Sequence, residues 1–112
     1  MFLFSSASLF GQPEGDLVRQ GVALDLGGQY REARQYFTKA IESASTPQAK
    51  RRALGAMAMS YAFENNCKGA EKYEGQLYEM YLAEKAFFDA GETADELARV
   101  CIEAGSLDDA LE

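Results

Sequence analysis

A chain of 112 residues that is 47% hydrophobic and 26% charged has room for one domain and excludes a disordered tail or a collagen-like strand. Its net charge of −7, from 18 acidic and 11 basic residues, argues against nucleic acid and against anionic lipid surfaces, which both need clustered Lys and Arg. The absence of histidine removes the commonest general base, the commonest zinc ligand and the Ser-His or Cys-His relay together, so composition points away from catalysis.

Residues 1–13 begin Met1-Phe2-Leu3-Phe4-Ser5-Ser6-Ala7-Ser8-Leu9-Phe10-Gly11, a stretch of apolar and small residues. It lacks a basic n-region and a full apolar h-region of about 7 to 15 residues. It reads as a flexible arm, with the remnant of a signal peptide as the alternative. No stretch approaches the ~18–20 consecutive apolar residues that span a bilayer, so membrane insertion is not expected. The helical domain is expected over 14–112. A cytoplasmic location is favoured, with export as the alternative if residues 1–11 end a signal peptide.

From Asp16 onward every segment reads as helix. Proline occurs only at Pro13 and Pro47, and no alternating run is long enough for a sheet. The expected helices are 14–27, 30–44, 47–64, 67–90, 93–104 and 106–112. Gly27-Gly28, Asn65-Asn66, Gly91 and Gly105 supply the stops. Thr46-Pro47, Thr93 with Glu96, and Ser106 with Asp109 supply the starts. Gly75 falls inside the fourth helix and costs about 1 kcal/mol against alanine unless it permits a close crossing.

The helices repeat. Gly21, Gly28, Tyr30 and Ala33 map onto Ala58, Asn65, Cys67 and Ala70 at an offset of 37, and these onto Ala98, Gly105, Leu107 and Ala110 at an offset of 40. In the first copy Leu17, Gln20, Gly21 and Leu24 are followed by Gly28 and Tyr30, then by Ala33, Phe37, Ala40 and Ile41, with Pro47 beyond. This pattern resembles the tetratricopeptide repeat, W-x2-L-G-x2-Y, then A-x3-F, then P, over 34 residues. Small residues at Gly21, Ala33 and Ala40 let two helices approach, and Tyr30 and Phe37 fill the seam. The second copy keeps Leu54, Met57, Ala58, Tyr61 and Ala70 but has Glu74 where an aromatic is expected. The third keeps Ala94, Leu97, Ala98 and Cys101. The resemblance implies an all-α, right-handed stack of antiparallel helix pairs, about two and a half repeats long.

It also implies a non-catalytic scaffold that binds a peptide or partner helix in a groove lined by the first helix of each repeat. In this chain those positions include Val18, Val22, Asp25, Leu26, Arg52, Met59, Phe63 and Arg99. The subgroup that clamps a C-terminal carboxylate would need Lys, Arg or Asn at Val18, Val22, Ala56, Glu92 and Glu96, and has none. The rival reading is a structural or oligomerisation module, or a fragment of a longer repeat protein, whose apolar groove and incomplete last helix are covered by self-association. Leu97, Leu107 and Leu111 would carry that contact, giving a homodimer through the C-terminal end.

The remaining residues carry little chemistry. Cys67 and Cys101 have no further Cys or His to complete a metal site and read as two buried free thiols, with one disulfide as the alternative. Glu71 and Glu74 have i,i+3 spacing but no third ligand and no nucleophile motif, and read as a solvated helix face. Lys50-Arg51-Arg52 is the one basic cluster. No cofactor or metal is expected. Tyr61, Phe63, Tyr73, Tyr78, Tyr81, Phe87 and Phe88 are more aromatics than one stripe can bury, so some of them should be exposed.

Overall fold

The structure is a computed structural model that describes the backbone of residues 14–111 and the side chains of residues 15–102. Among the described residues it is all-α, with five helices and no strand: α1 (Glu14–Leu26), α2 (Tyr30–Ser43), α3 (Pro47–Phe63), α4 (Cys67–Ala83) and α5 (Phe87–Leu111). It divides into two compact units, Met1–Ala56 and Met57–Glu112, with the boundary inside α3. The expected arm lies outside the described residues.

Three reversals share one geometry. Gly28, Asn65 and Lys85 sit at φ of +82°, +57° and +59°, the left-handed conformation that ends a helix. In each case the next residue donates its amide five residues back: Gln29 to Leu24, Asn66 to Tyr61 and Ala86 to Tyr81, at 2.8–3.0 Å. The left-handed residue itself bonds three back, to Asp25, Ala62 and Leu82. This pair of bonds is the Schellman motif, which satisfies carbonyls that a helix end leaves open. A new helix starts at once, at Tyr30, Cys67 and Phe87. An alanine five residues after each left-handed residue, Ala33, Ala70 and Ala90, is buried.

Two starts carry side-chain caps. The Thr46 hydroxyl accepts from the Ala49 amide at 3.0 Å, as the Thr46-Pro47 pair predicts. Asn66 accepts from the Gly69 amide at 2.8 Å.

The third repeat differs from the expected one. The helix expected over 67–90 stops at Ala83, and 93–104 and 106–112 are replaced by one helix from Phe87. The reversal is at Lys85, a residue that pays a steric cost of about 1 kcal/mol or more in the left-handed region. Gly91 and Gly105 are interior to α5 and stop nothing; a side chain at Gly91 would meet open space. The Thr93 hydroxyl donates to the Asp89 carbonyl at 2.9 Å within the helix, so it caps no N-terminus. Ser106 likewise lies within the helix. The short stub expected over 106–112 is the last part of α5.

In the first unit α1 packs on α2. Leu17, Val18, Ala33, Phe37, Ala40, Ala53 and Leu54 are buried. A Cβ placed on Gly21 would overlap the Phe37 ring, so the expected close crossing of these helices is present. In the second unit α4 packs on α5, and the start of α4 approaches Tyr61 at the end of α3. A Cβ on Gly69 would overlap the Tyr61 ring. Tyr61 also stacks on Tyr73, with ring centroids 5.8 Å apart and planes 9° apart, and the Lys72 ammonium lies 5.3 Å from the centre of the Tyr73 ring. The buried apolar residues here are smaller: Met57, Ala58, Ala70, Leu77 and Ala90.

Cys67 and Cys101 form a disulfide that ties the first residue of α4 to α5, across 34 residues of sequence. This corrects the reading of two free thiols. The Gly91 stop would have put Cys101 in a separate helix, whereas one continuous α5 lays it beside the start of α4.

The two glycines should respond in opposite directions. Gly21→Ala should cost about 1–3 kcal/mol, because the methyl must displace Phe37. Gly75→Ala, where nothing lies within 4 Å of the added Cβ, should stabilise by about 0.5–1 kcal/mol through helix propensity. Urea denaturation compares them. Cys67→Ser should lower stability by about 2–4 kcal/mol in oxidising buffer, and the loss should vanish when both proteins are measured with reductant.

Candidate binding site

The α4/α5 seam holds a cavity. On α4, Glu71, Glu74, Gly75 and Tyr78 follow i, i+3, i+4, i+7 spacing; on α5, Ala94, Leu97, Ala98 and Cys101 repeat it. These facing stripes, with Thr93, enclose an open space of about 360 Å³. The space exists because small residues face each other. Gly75 opposes no atom within 4 Å of a Cβ, and Ala94 and Ala98 are short. Thr93 also borders a more polar space of about 320 Å³, with Leu77, Tyr81, Asp89, Glu92, Glu96 and Arg99.

Glu74 is the acidic residue of the inner wall, only 5% exposed. Its burial corrects the reading of a solvated acidic face. Burial pushes the Glu74 carboxyl up to about 8, helped by its hydrogen bond with Glu96 and by the negative charge of that neighbour. The Glu74 and Glu96 carboxyls meet across the seam, and Glu74 holds its proton to higher pH than a solvated glutamate. Glu71, three residues before Glu74, is exposed at the rim.

Charge is unevenly spread. Residues 1–56 carry seven basic and five acidic residues, whereas 57–112 carry four and thirteen. The α4/α5 cavity therefore opens in a strongly acidic unit. Among the described residues no group of three or more His, Cys, Asp or Glu is placed to hold a metal, and no helix is long and apolar enough to cross a membrane.

The expected groove residues divide between the units. In the first, Val22 and Leu26 are exposed, at 41% and 79%, and Arg52 is exposed, but Val18 and Asp25 are buried. Those two are therefore not open groove positions: Val18 belongs with the buried apolar residues of α1, and Asp25 lies in the last turn before the Gly28 reversal. In the second unit Met59 and Phe63 are exposed, and Arg99 borders the polar space. Met59, Glu74, Glu96 and Leu97 meet around one small gap between the end of α3, α4 and α5. Leu97 lines the open seam with α4, and Cys101 is bonded to Cys67. The Leu107 and Leu111 side chains lie outside the described residues. Phe87 and Phe88 are exposed, at 65% and 76%, as the excess of aromatics implies.

No family model matches the chain, and no curated protein or solved structure is significantly similar to it.

The Glu74–Glu96 pair makes stability depend on pH. The folded chain keeps the Glu74 proton up to pH about 8, whereas an unfolded glutamate releases it near 4.5. Folding therefore takes up a proton between these values. The contribution is complete below pH 4.5 and is lost as pH rises through 8. Thermal melts should show the second unit losing on the order of 2–4 kcal/mol between pH 5 and 9 relative to a Glu74→Gln variant.

Proposed function

We propose that the chain is a non-catalytic binding module of stacked helix pairs, of the tetratricopeptide type, that takes a segment of a partner polypeptide. The observation that carries this reading is the open α4/α5 cavity. It is lined mainly by apolar or short side chains, with one buried carboxyl, Glu74, on its wall and acidic residues around it. A concave, mostly apolar site with few convergent polar groups is the common form of a recognition pocket. Met59 and Phe63, exposed in the same unit, add apolar surface for a peptide or partner helix. The first-copy pattern, Leu17, Gly21, Leu24, Tyr30, Ala33 and Phe37, supports the repeat assignment. The Cys67–Cys101 disulfide suits an oxidising compartment better than a reducing one, and so favours export over the cytoplasm.

The second reading, self-association, draws on Phe87 and Phe88, two adjacent exposed rings at the start of α5. Sedimentation separates the two: a monomer at high concentration removes self-association.

Selection from a random peptide library on the intact protein should enrich sequences that combine basic and apolar residues. Ala98→Phe, at an exposed position on the cavity wall, should abolish capture of the enriched peptides while circular dichroism stays unchanged. Capture lost in Phe63→Asp but kept in Ala98→Phe would move the site to the α3 groove. Failure to enrich any sequence would count against the binding reading itself.

A further inference from the structure

The cavity has two parts with different chemistry. Gly75, Tyr78, Ala94, Leu97 and Ala98 form walls that favour a flexible apolar stem. On the α4 wall Glu74 is only 5% exposed, and Glu96, which borders the adjoining spaces, lies against it. A purely apolar occupant would leave the Glu74 carboxyl against hydrocarbon, and an anion would be repelled by the acidic residues around it. We propose that the α4/α5 cavity seats a lysine side chain of a partner polypeptide, its methylene stem along the apolar walls and its ammonium at the Glu74 carboxyl. This rests on the partner-binding reading and names the group the site selects.

Three observations favour lysine on a polypeptide. The ammonium is a compact charge on a four-carbon apolar stem, which matches a pocket with mostly apolar or short walls and a buried carboxyl among them. Thirteen acidic against four basic residues in this unit attract an extended positive segment over a distance set by salt. The mouth is open, with Glu71 exposed at its rim, so the backbone of a partner can lie outside while one side chain enters.

Proton balance gives the proposal a signature. The charged and titratable groups around the Glu74 carboxyl are Glu96 on α5 and Glu71 and Tyr78 on α4 itself. The end of α3 offers only Ala58, Met59 and Ala62 to the same gap. Arg99 borders the polar space on the Glu96 side. The ammonium arrives already charged, so its entry drives the Glu74 proton into solvent. Affinity should therefore rise with pH up to about 8, where Glu74 ionises unaided.

The test uses the full oxidised chain and two peptides, acetyl-Ala-Leu-Lys-Leu-Ala-amide and its Nε-acetyllysine counterpart, with n-hexylamine and 1-hexanol as small probes. Amide and methyl NMR shifts at Ala94, Leu97 and Ala98 report occupancy, and calorimetry in buffers of different ionisation heat counts protons. The lysine peptide should bind about tenfold more tightly than the acetylated one, the gain expected of one charge-assisted contact. That preference should grow by up to about tenfold per pH unit between pH 6 and 8, with release of a proton. Glu74→Gln should remove the preference and the pH dependence while leaving the fold intact. Ala98→Phe should abolish binding of both peptides.

Equal binding of the two peptides, with the cavity signals moving, would overturn the ammonium assignment and leave the partner-binding reading standing. Binding of n-hexylamine with exclusion of both peptides would overturn it in favour of a free small amine. No movement at Ala94, Leu97 or Ala98 with any probe would remove the cavity as a site and the binding reading with it.

Discussion

Three of the four links between the described helices depend on one residue held in the left-handed conformation. Gly28, Asn65 and Lys85 each turn the chain within three residues, and the same two backbone bonds close each turn. So short a link forces the next helix to run back against the one before it. It also fixes where that helix makes contact, because a buried alanine arrives five residues later in every case. Closeness then has to be allowed by the side chains. Gly21 against Phe37 allows it in the first unit, and Gly69 against Tyr61 in the second. The partners are reversed between the two: the glycine lies on the first helix of one pair and on the second helix of the other.

That reversal explains the second unit. At the repeat offset of 37 residues, Glu74 stands where Phe37 stands in the first copy. Phe37 is wholly buried and fills its seam. Glu74 is also buried, but it is shorter, and Gly75 beside it adds no bulk. Phe37 fills the α1/α2 seam with a ring, whereas Glu74 stands on the wall of an open space between α4 and α5. Burying a carboxylate is costly, and the chain meets that cost by keeping the group protonated against Glu96 rather than by pairing it with a cation. The price in stability falls due only as pH rises.

The sequence made the first two reversals legible, because Gly28 and Asn65 are residues that tolerate a positive φ and because Pro47 marks the start of α3. It hid the third. Glu84-Lys85-Ala86 contains no residue that favours a turn, while Gly91 and Gly105, six and twenty positions later, advertise stops that the continuous α5 does not take. Once the third reversal was misplaced, Thr93 looked like a cap and Cys101 looked remote from Cys67. The close crossing at Gly21 was visible from the Gly–Ala–Phe pattern. The cavity was half visible: the i,i+3 spacing of Glu71 and Glu74 put both on one face, and the gap where an aromatic was expected marked the place. That Glu96 comes to meet Glu74 depends on α5 starting at Phe87, a fact of tertiary packing that no local pattern carries.

The disulfide has a consequence for the topology of the chain. Cys67 begins α4 and Cys101 lies fourteen residues into α5, so the bond closes a covalent ring around the cavity-bearing hairpin. Within that ring the tight turn at 84–86 is no longer the only thing that joins the two helices. A single backbone cut there would leave α4 and α5 attached, and the nicked molecule would keep its mass until a reductant was added. The same ring makes this turn the natural place to open the chain and join it elsewhere, or to graft a foreign loop, because the entropy of holding α4 against α5 is already restricted by sulfur.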